Sequence, residues 1–206
     1  MDRRVTVGAA LLVLCLSAAG LADTTLRPAQ SVLMASVTEA NPGALMIRCD
    51  TGTAMTPPIA MPLDPATHIA RLVSDGIAAF DTGQTVLLLG DTDDQTFTAR
   101  AAIISPKADV DLLRAGVFAL YRWRHANGLR TNFGDHRALG AVVGVEPLTV
   151  RVGKQDCPIS LDPEMVVARL EPASEADIYS GAKVALLGAR LPNGANGAGT
   201  VVISGL

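Results

Sequence analysis

Apolar and polar residues along this chain alternate in short runs, at the spacing of strands and turns rather than of long helices. In the first half, residues 31–38 and 44–49 read as strands around the turn signal Asn41-Pro42-Gly43. Residues 51–62 carry Gly52, Pro57, Pro58 and Pro62, a composition that predicts a loop or a broken edge strand. Residues 68–72 form a short strand, Asp75-Gly76 a turn, and 85–89 the strongest strand of this half, closed by Gly90. After a turn at 91–95, residues 97–104 return. The second half follows the same plan: strands at 141–145, 148–152, 158–161, 165–170, 183–187 and 200–204, with turns at Glu146-Pro147, at 153–156 and at Pro192-Asn193-Gly194. The pattern predicts an all-β chain of small sandwich or barrel units.

The two halves also resemble each other residue by residue. Laid without a gap over residues 161–188, residues 63–90 are identical at 12 of 28 positions. The matches include Leu63-Asp64-Pro65 with Leu161-Asp162-Pro163, Ala70-Arg71-Leu72 with Ala168-Arg169-Leu170, and Gly83 with Gly181. Both stretches end alike, in Leu88-Leu89-Gly90 and Leu186-Leu187-Gly188. Self-similarity on this scale predicts one supersecondary unit used twice. The first copy carries extra residues between Cys49 and Leu63, in its Pro-rich stretch, where an insertion is expected to lie in a loop.

Between the copies lies the segment 106–139. A helix over 109–126 is one reading, since Leu112, Leu113, Leu120 and Trp123 fit helical spacing loosely. Leu113-Arg114-Ala115-Gly116, however, resembles Ile178-Tyr179-Ser180-Gly181, and both are followed by an apolar run and then by Asn-Gly. The favoured expectation is a hairpin, 117–124 and 129–133, around Asn127-Gly128. The predicted organisation is a leader at 1–22, a lead-in at 23–30, a first barrel at 31–105, the hairpin segment at 106–139 and a second barrel at 140–206.

Repeats of this length with a Gly-x-x-Val-x-Leu pattern closed by glycine resemble the small β-barrel domains of bacterial exported proteins grouped as domain of unknown function 5666, which are themselves similar to OB-folds. The residues that carry the likeness are Gly83, Val86, Leu88 and Gly90, with Gly181, Val184, Leu186 and Gly188. The resemblance implies an OB-like barrel and an envelope location. It implies no catalytic residue.

The first 22 residues read as a secretory leader. Arg3 and Arg4 form a positive start, residues 5–19 are uncharged and apolar, and Gly20-Leu21-Ala22 offers small residues for cleavage before Asp23. An exported protein, periplasmic or secreted and not membrane-spanning after processing, is the expectation. Losing Arg3, Arg4 and Asp2 takes the net charge from −3 to −4. A mildly acidic exported chain is a poor match for nucleic acid. Export would permit a disulfide between Cys49 and Cys157, with two small buried thiols as the alternative.

The chemistry-bearing residues are scattered. His68, His125 and His136 sit in no metal-binding frame, and no Gly-x-Ser-x-Gly elbow occurs. Asp91, Asp93 and Asp94 gather carboxylates in one turn, a weak candidate for a hard cation and more simply a solvated loop tip. Met34, Met46, Met55, Met61 and Cys49 crowd the first half. Met55 and Met61 make the best copper candidate, against methionine's ordinary use as core filler. No cofactor is implied.

The middle segment stands out. It holds Lys107, Arg114, Arg122, Arg124, Arg130 and Arg137 against three aspartates, a charge of +3 in an acidic chain. Four of the seven aromatics lie there: Phe118, Tyr121, Trp123 and Phe133. On a strand, Arg122 and Arg124 would share one face and Tyr121 and Trp123 the other. The expected function is a non-catalytic binding or scaffolding module. It would use Arg114, Tyr121, Arg122, Trp123, Arg124 and Arg130 to meet an anionic envelope protein, lipid head group or acidic glycan. The alternatives are copper handling by the Met/Cys-rich first half, or an enzyme of unrecognised type.

Overall fold

The computed structural model describes residues 32–49, 57–93, 96–190 and 196–205. The expected leader and lead-in, Met55, Asp94 and the turn at 192–194 lie outside them. The chain runs β1 (Val32–Asn41), β2 (Ala44–Cys49), β3 (Ile59–Asp75), β4 (Thr85–Thr92), β5 (Phe97–Ser105), α1 (Val110–Ala126), β6 (His136–Val145), β7 (Leu148–Val152), β8 (Gln155–Pro172), β9 (Lys183–Arg190) and β10 (Asn196–Ser204). Short 3-10 turns, Ile77–Ala79 and Glu175–Asp177, precede β4 and β9. The all-β, barrel-like class read from the pattern is therefore present, with one α-helix added among the described residues. Among the described residues no helix is long and apolar enough to cross a membrane.

One expectation is corrected here: the segment 117–133 is not a hairpin, and most of it belongs to α1. Of the two alternatives for the Pro-rich stretch before Leu63, strand holds from Ile59, where β3 starts, and it continues to Asp75. The bend at Leu63-Asp64-Pro65 reconciles proline with strand. The Asp64 carboxylate accepts from the Ala66 N–H at 2.8 Å, and the Thr67 hydroxyl accepts from the Asp64 N–H at 2.9 Å. Pairing with β10 stops at Leu63 and resumes at His68, so Pro65 falls where no ladder hydrogen bond is needed. In β8 the Asp162 carboxylate accepts from the Glu164 N–H at 2.8 Å, the same side-chain turn in the second Leu-Asp-Pro.

The described chain forms two compact units, and neither matches the contiguous barrels expected at 31–105 and 140–206. One consists of Asp75–Lys107 and Asn132–Val167; the other of the described parts of Pro28–Ser74, Ala108–Thr131 and Ala168–Leu206. Each takes strands from both halves of the sequence.

In the second of these units β1 pairs antiparallel with β2 and with β9, β2 with β3, and β9 with β10. β10 then runs parallel to β3, Val201 opposite Ile69 and Ile203 opposite Arg71, which closes a five-stranded barrel. Its core is Ala35, Val37, Leu45, Ile47, Leu63, Ile178, Ala182, Val184, Leu186, Ala198, Val201 and Ile203. These residues alternate along their strands, as one buried sheet face requires. α1 packs on β10, β9 and β1.

The other unit repeats the circuit of pairings. β4 lies between β5 and β6, β6 pairs with β7, β7 with β8, and β8 neighbours β5. Val86, Leu88, Ala102, Ile104, Val142, Leu148, Val150 and Ile159 are among its core residues.

Gly90 marks a tight point in that unit. A Cβ there would lie 2.0 Å from the Thr98 carbonyl oxygen. At Gly188 the nearest atom would be the Gly197 carbonyl oxygen at 3.8 Å, an ordinary contact. Gly90→Ala is therefore expected to cost about 1–3 kcal/mol in urea unfolding, through forced backbone displacement. Gly188→Ala is expected to stay within about 1 kcal/mol of the parent.

Candidate partner-binding surface

α1 forms because its ends are chemically marked. Asp109 is the N-cap, and its side chain accepts from the backbone N–H groups of Asp111 and Leu112, at 3.1 and 3.0 Å. Asn127 closes the helix, its side chain donating to the Trp123 carbonyl at 2.8 Å, and Gly128 follows in the left-handed region at φ +65°. The Asn-Gly pair that reads as a hairpin turn thus ends a helix. Leu113, Ala115, Gly116, Val117, Ala119 and Leu120 are buried.

A helix sorts the basic and aromatic residues differently from a strand. Successive side chains stand about 100° apart, so Arg122 and Arg124 point away from each other. Arg114, Phe118, Tyr121, Arg122 and His125 instead fall on one arc. Phe118, 40 % exposed, is the most open apolar residue of that arc, while Arg114, Tyr121 and Arg122 are half-buried. Asp111 lies on the same side, exposed. Arg124 folds back along the helix end, its Nε donating to the Arg130 carbonyl at 2.5 Å. Trp123 is half-buried and Arg130 exposed, beyond the helix. Of the six predicted binding residues, the helix therefore gathers Arg114, Tyr121 and Arg122. Lys107, Phe133 and Arg137 belong to the other unit, and Phe133 is buried there.

Sequence reading missed Lys183, at the head of β9. Its Nζ donates to the Ser36 hydroxyl across the β1–β9 ladder at 2.6 Å. Desolvation, and then the positive charge of Arg122, push the Lys183 pKa below the usual lysine range. Burial likewise lowers the Arg122 pKa. The two cations therefore share one electrostatic neighbourhood, in which a negative charge would be stabilised by both. The available signal was a lysine standing where the first half has Thr85.

The remaining candidates have identifiable surroundings. His68 Nδ1 lies 2.6 Å from Asp109 Oδ2, tying β3 to the helix N-terminus. His125 ends the helix, and His136 opens β6, both exposed. Met61 packs against the core of its barrel, the ordinary use of methionine, while Met34 and Met46 lie on β1 and β2. Asp91 pairs with Arg100 at 2.8 Å, and the Asp93 carboxylate accepts from the Thr96 N–H at 2.8 Å, closing its turn. Among the described residues no three His, Cys, Asp or Glu side chains cluster as a metal site would. Cys49 ends β2 in one unit; Cys157 lies on β8 against the core of the other. Comparison with protein-family models, curated proteins and solved structures finds no match to the chain.

Two outcomes follow. Asp109→Ala removes both the helix cap and the His68 contact. It should cost about 1–2 kcal/mol and lower the helical signal in circular dichroism, whereas Asp111→Ala should leave both nearly unchanged. The second concerns acid stability. Asp177 is held below the usual carboxylate range, first by the Ser174 backbone N–H, then by the Ser174 hydroxyl, with Arg71 at 2.9 Å adding its charge. A carboxylate depressed in the fold stabilises it above its unfolded pKa and loses that contribution as pH falls through the folded value. The stability difference between the parent and Asp177→Ala, followed by urea unfolding, should therefore be fullest near pH 6 and shrink progressively below pH 4.

Proposed function

We propose that this protein is a non-catalytic, exported binding module that holds an anionic partner on the open arc of α1. The observation that carries this reading is the stripe Arg114, Phe118, Tyr121 and Arg122, joined by Lys183, on which the charge of Arg122 acts. Cations alone would favour any polyanion. Interleaved aromatics favour one that also offers apolar surface, as the acyl region beneath a lipid head group and the faces of glycan rings do. Support for export comes from the charged and then apolar start of the chain, with its small-residue cleavage pattern. The barrel supplies a rigid platform, since the buried side of α1 is fixed on β9, β10 and β1.

Retention on phosphatidylglycerol vesicles and on a heparin column, each read at low and at 0.5 M salt, tests the reading. Binding to at least one probe is expected, and it should weaken with salt as exposed charge contacts do. Charge reversal at Arg114, Arg122 and Lys183 together should weaken that binding at least tenfold with helicity intact, while Arg137→Glu should not. No retention on either probe, or equal retention of the triple variant, would overturn it.

A further inference from the structure

We propose that the chain is a duplicated barrel whose two copies have exchanged their closing hairpins. The first copy is β1 to β5 and the second β6 to β10, each with a 3-10 turn ahead of its last hairpin. Were each copy to close on itself, β4 would pair with β1 and β5 with β3. Instead β9 and β10 of the second copy complete the barrel of β1, β2 and β3, and β4 and β5 of the first complete the barrel of β6, β7 and β8.

Five pairs of observations show that the hairpins occupy equivalent places. Gly83 and Gly181, 98 residues apart, have φ of +92° and +93°. Gly83 donates its N–H to the Val142 carbonyl and Gly181 to the Val37 carbonyl, both at 2.8 Å; Val142 and Val37 donate back to Gln84 and Ala182, both at 2.9 Å. Along the following strands, Thr85 and Val86 face Ala141 and Gly140, as Lys183 and Val184 face Ser36 and Ala35. Both hairpins carry the same irregularity: Leu89 faces Ala101 and Gly90 faces Ala99, just as Leu187 faces Thr200 and Gly188 faces Ala198. Finally, matching apolar residues fill the two cores crosswise. Leu88, Ala102 and Ile104 of the first copy lie with Leu148 and Val150 of the second; Leu186, Val201 and Ile203 of the second lie with Leu45 and Ile47 of the first. Exchange of an identical element between like units costs little, because every contact is replaced by its equivalent.

The exchange is testable on the full chain. With Cys15, Cys49 and Cys157 replaced by Ser, the pair Ser36→Cys and Lys183→Cys stands directly opposed across β1 and β9. In the unexchanged arrangement the corresponding pair is Ser36→Cys and Thr85→Cys. Mild oxidation should give an intramolecular disulfide at least tenfold more completely in the first variant than in the second, read by peptide mass spectrometry of the monomer. A second measurement needs no core-adjacent substitution. A protease site inserted after Lys107 and then cut should leave two fragments that co-elute in native gel filtration and part only in denaturant. A 36–85 disulfide as complete as the 36–183 one, or fragments that separate natively after cleavage, would overturn the exchange.

Discussion

A five-stranded sheet left open exposes two rows of backbone N–H and carbonyl groups, and in so small a unit that is a large share of its hydrogen bonding. Closing it requires a strand parallel to the first edge, which no tight turn can supply. In the unit built on β1, β2 and β3, that strand is β10, laid along β3 in two stretches on either side of the Asp64 bend. The other features of this unit follow from that closure. The alternating residues of β9 and β10 point into a shared core with those of β1 and β2, and the outer face of β9 and β10 becomes the bed on which α1 rests. The buried small residues of α1, Ala115, Gly116 and Ala119, suit that close seat.

Much of this was legible from the pattern of residues. The strands at 85–89, 97–104, 148–152 and 183–187 were evident because apolar runs ended in glycine or in turn residues; β7 keeps its predicted limits, and β4, β5 and β9 run one to three residues past theirs. What was not legible is which strands pair. Pairing partners are set by contacts between residues far apart in the chain, and self-similar segments present equivalent faces, so local pattern alone cannot choose between them. Contiguous barrels were the simplest expectation; the units in the structure interleave the two halves instead.

The helix was misread for a local reason. Asn-Gly supplies a left-handed residue, and both a hairpin turn and a helix end need one. The deciding residue was Asp109, whose carboxylate satisfies two N–H groups that would otherwise be open at the helix start. The candidate surface changed accordingly. Arg114, Tyr121 and Arg122 come together where a strand would have split them, Arg124 turns to Arg130, and Lys183 enters from a distant strand.

The reciprocal hydrogen bonds of Gly83 with Val142 and of Gly181 with Val37 also bear on how such a chain can change over time. Each joins residues encoded far apart. A change in either hairpin bears on contacts made by the opposite half, so neither half can be lost or replaced by recombination without disturbing both units. Interleaving of this kind makes the whole chain, rather than either half, the unit of inheritance.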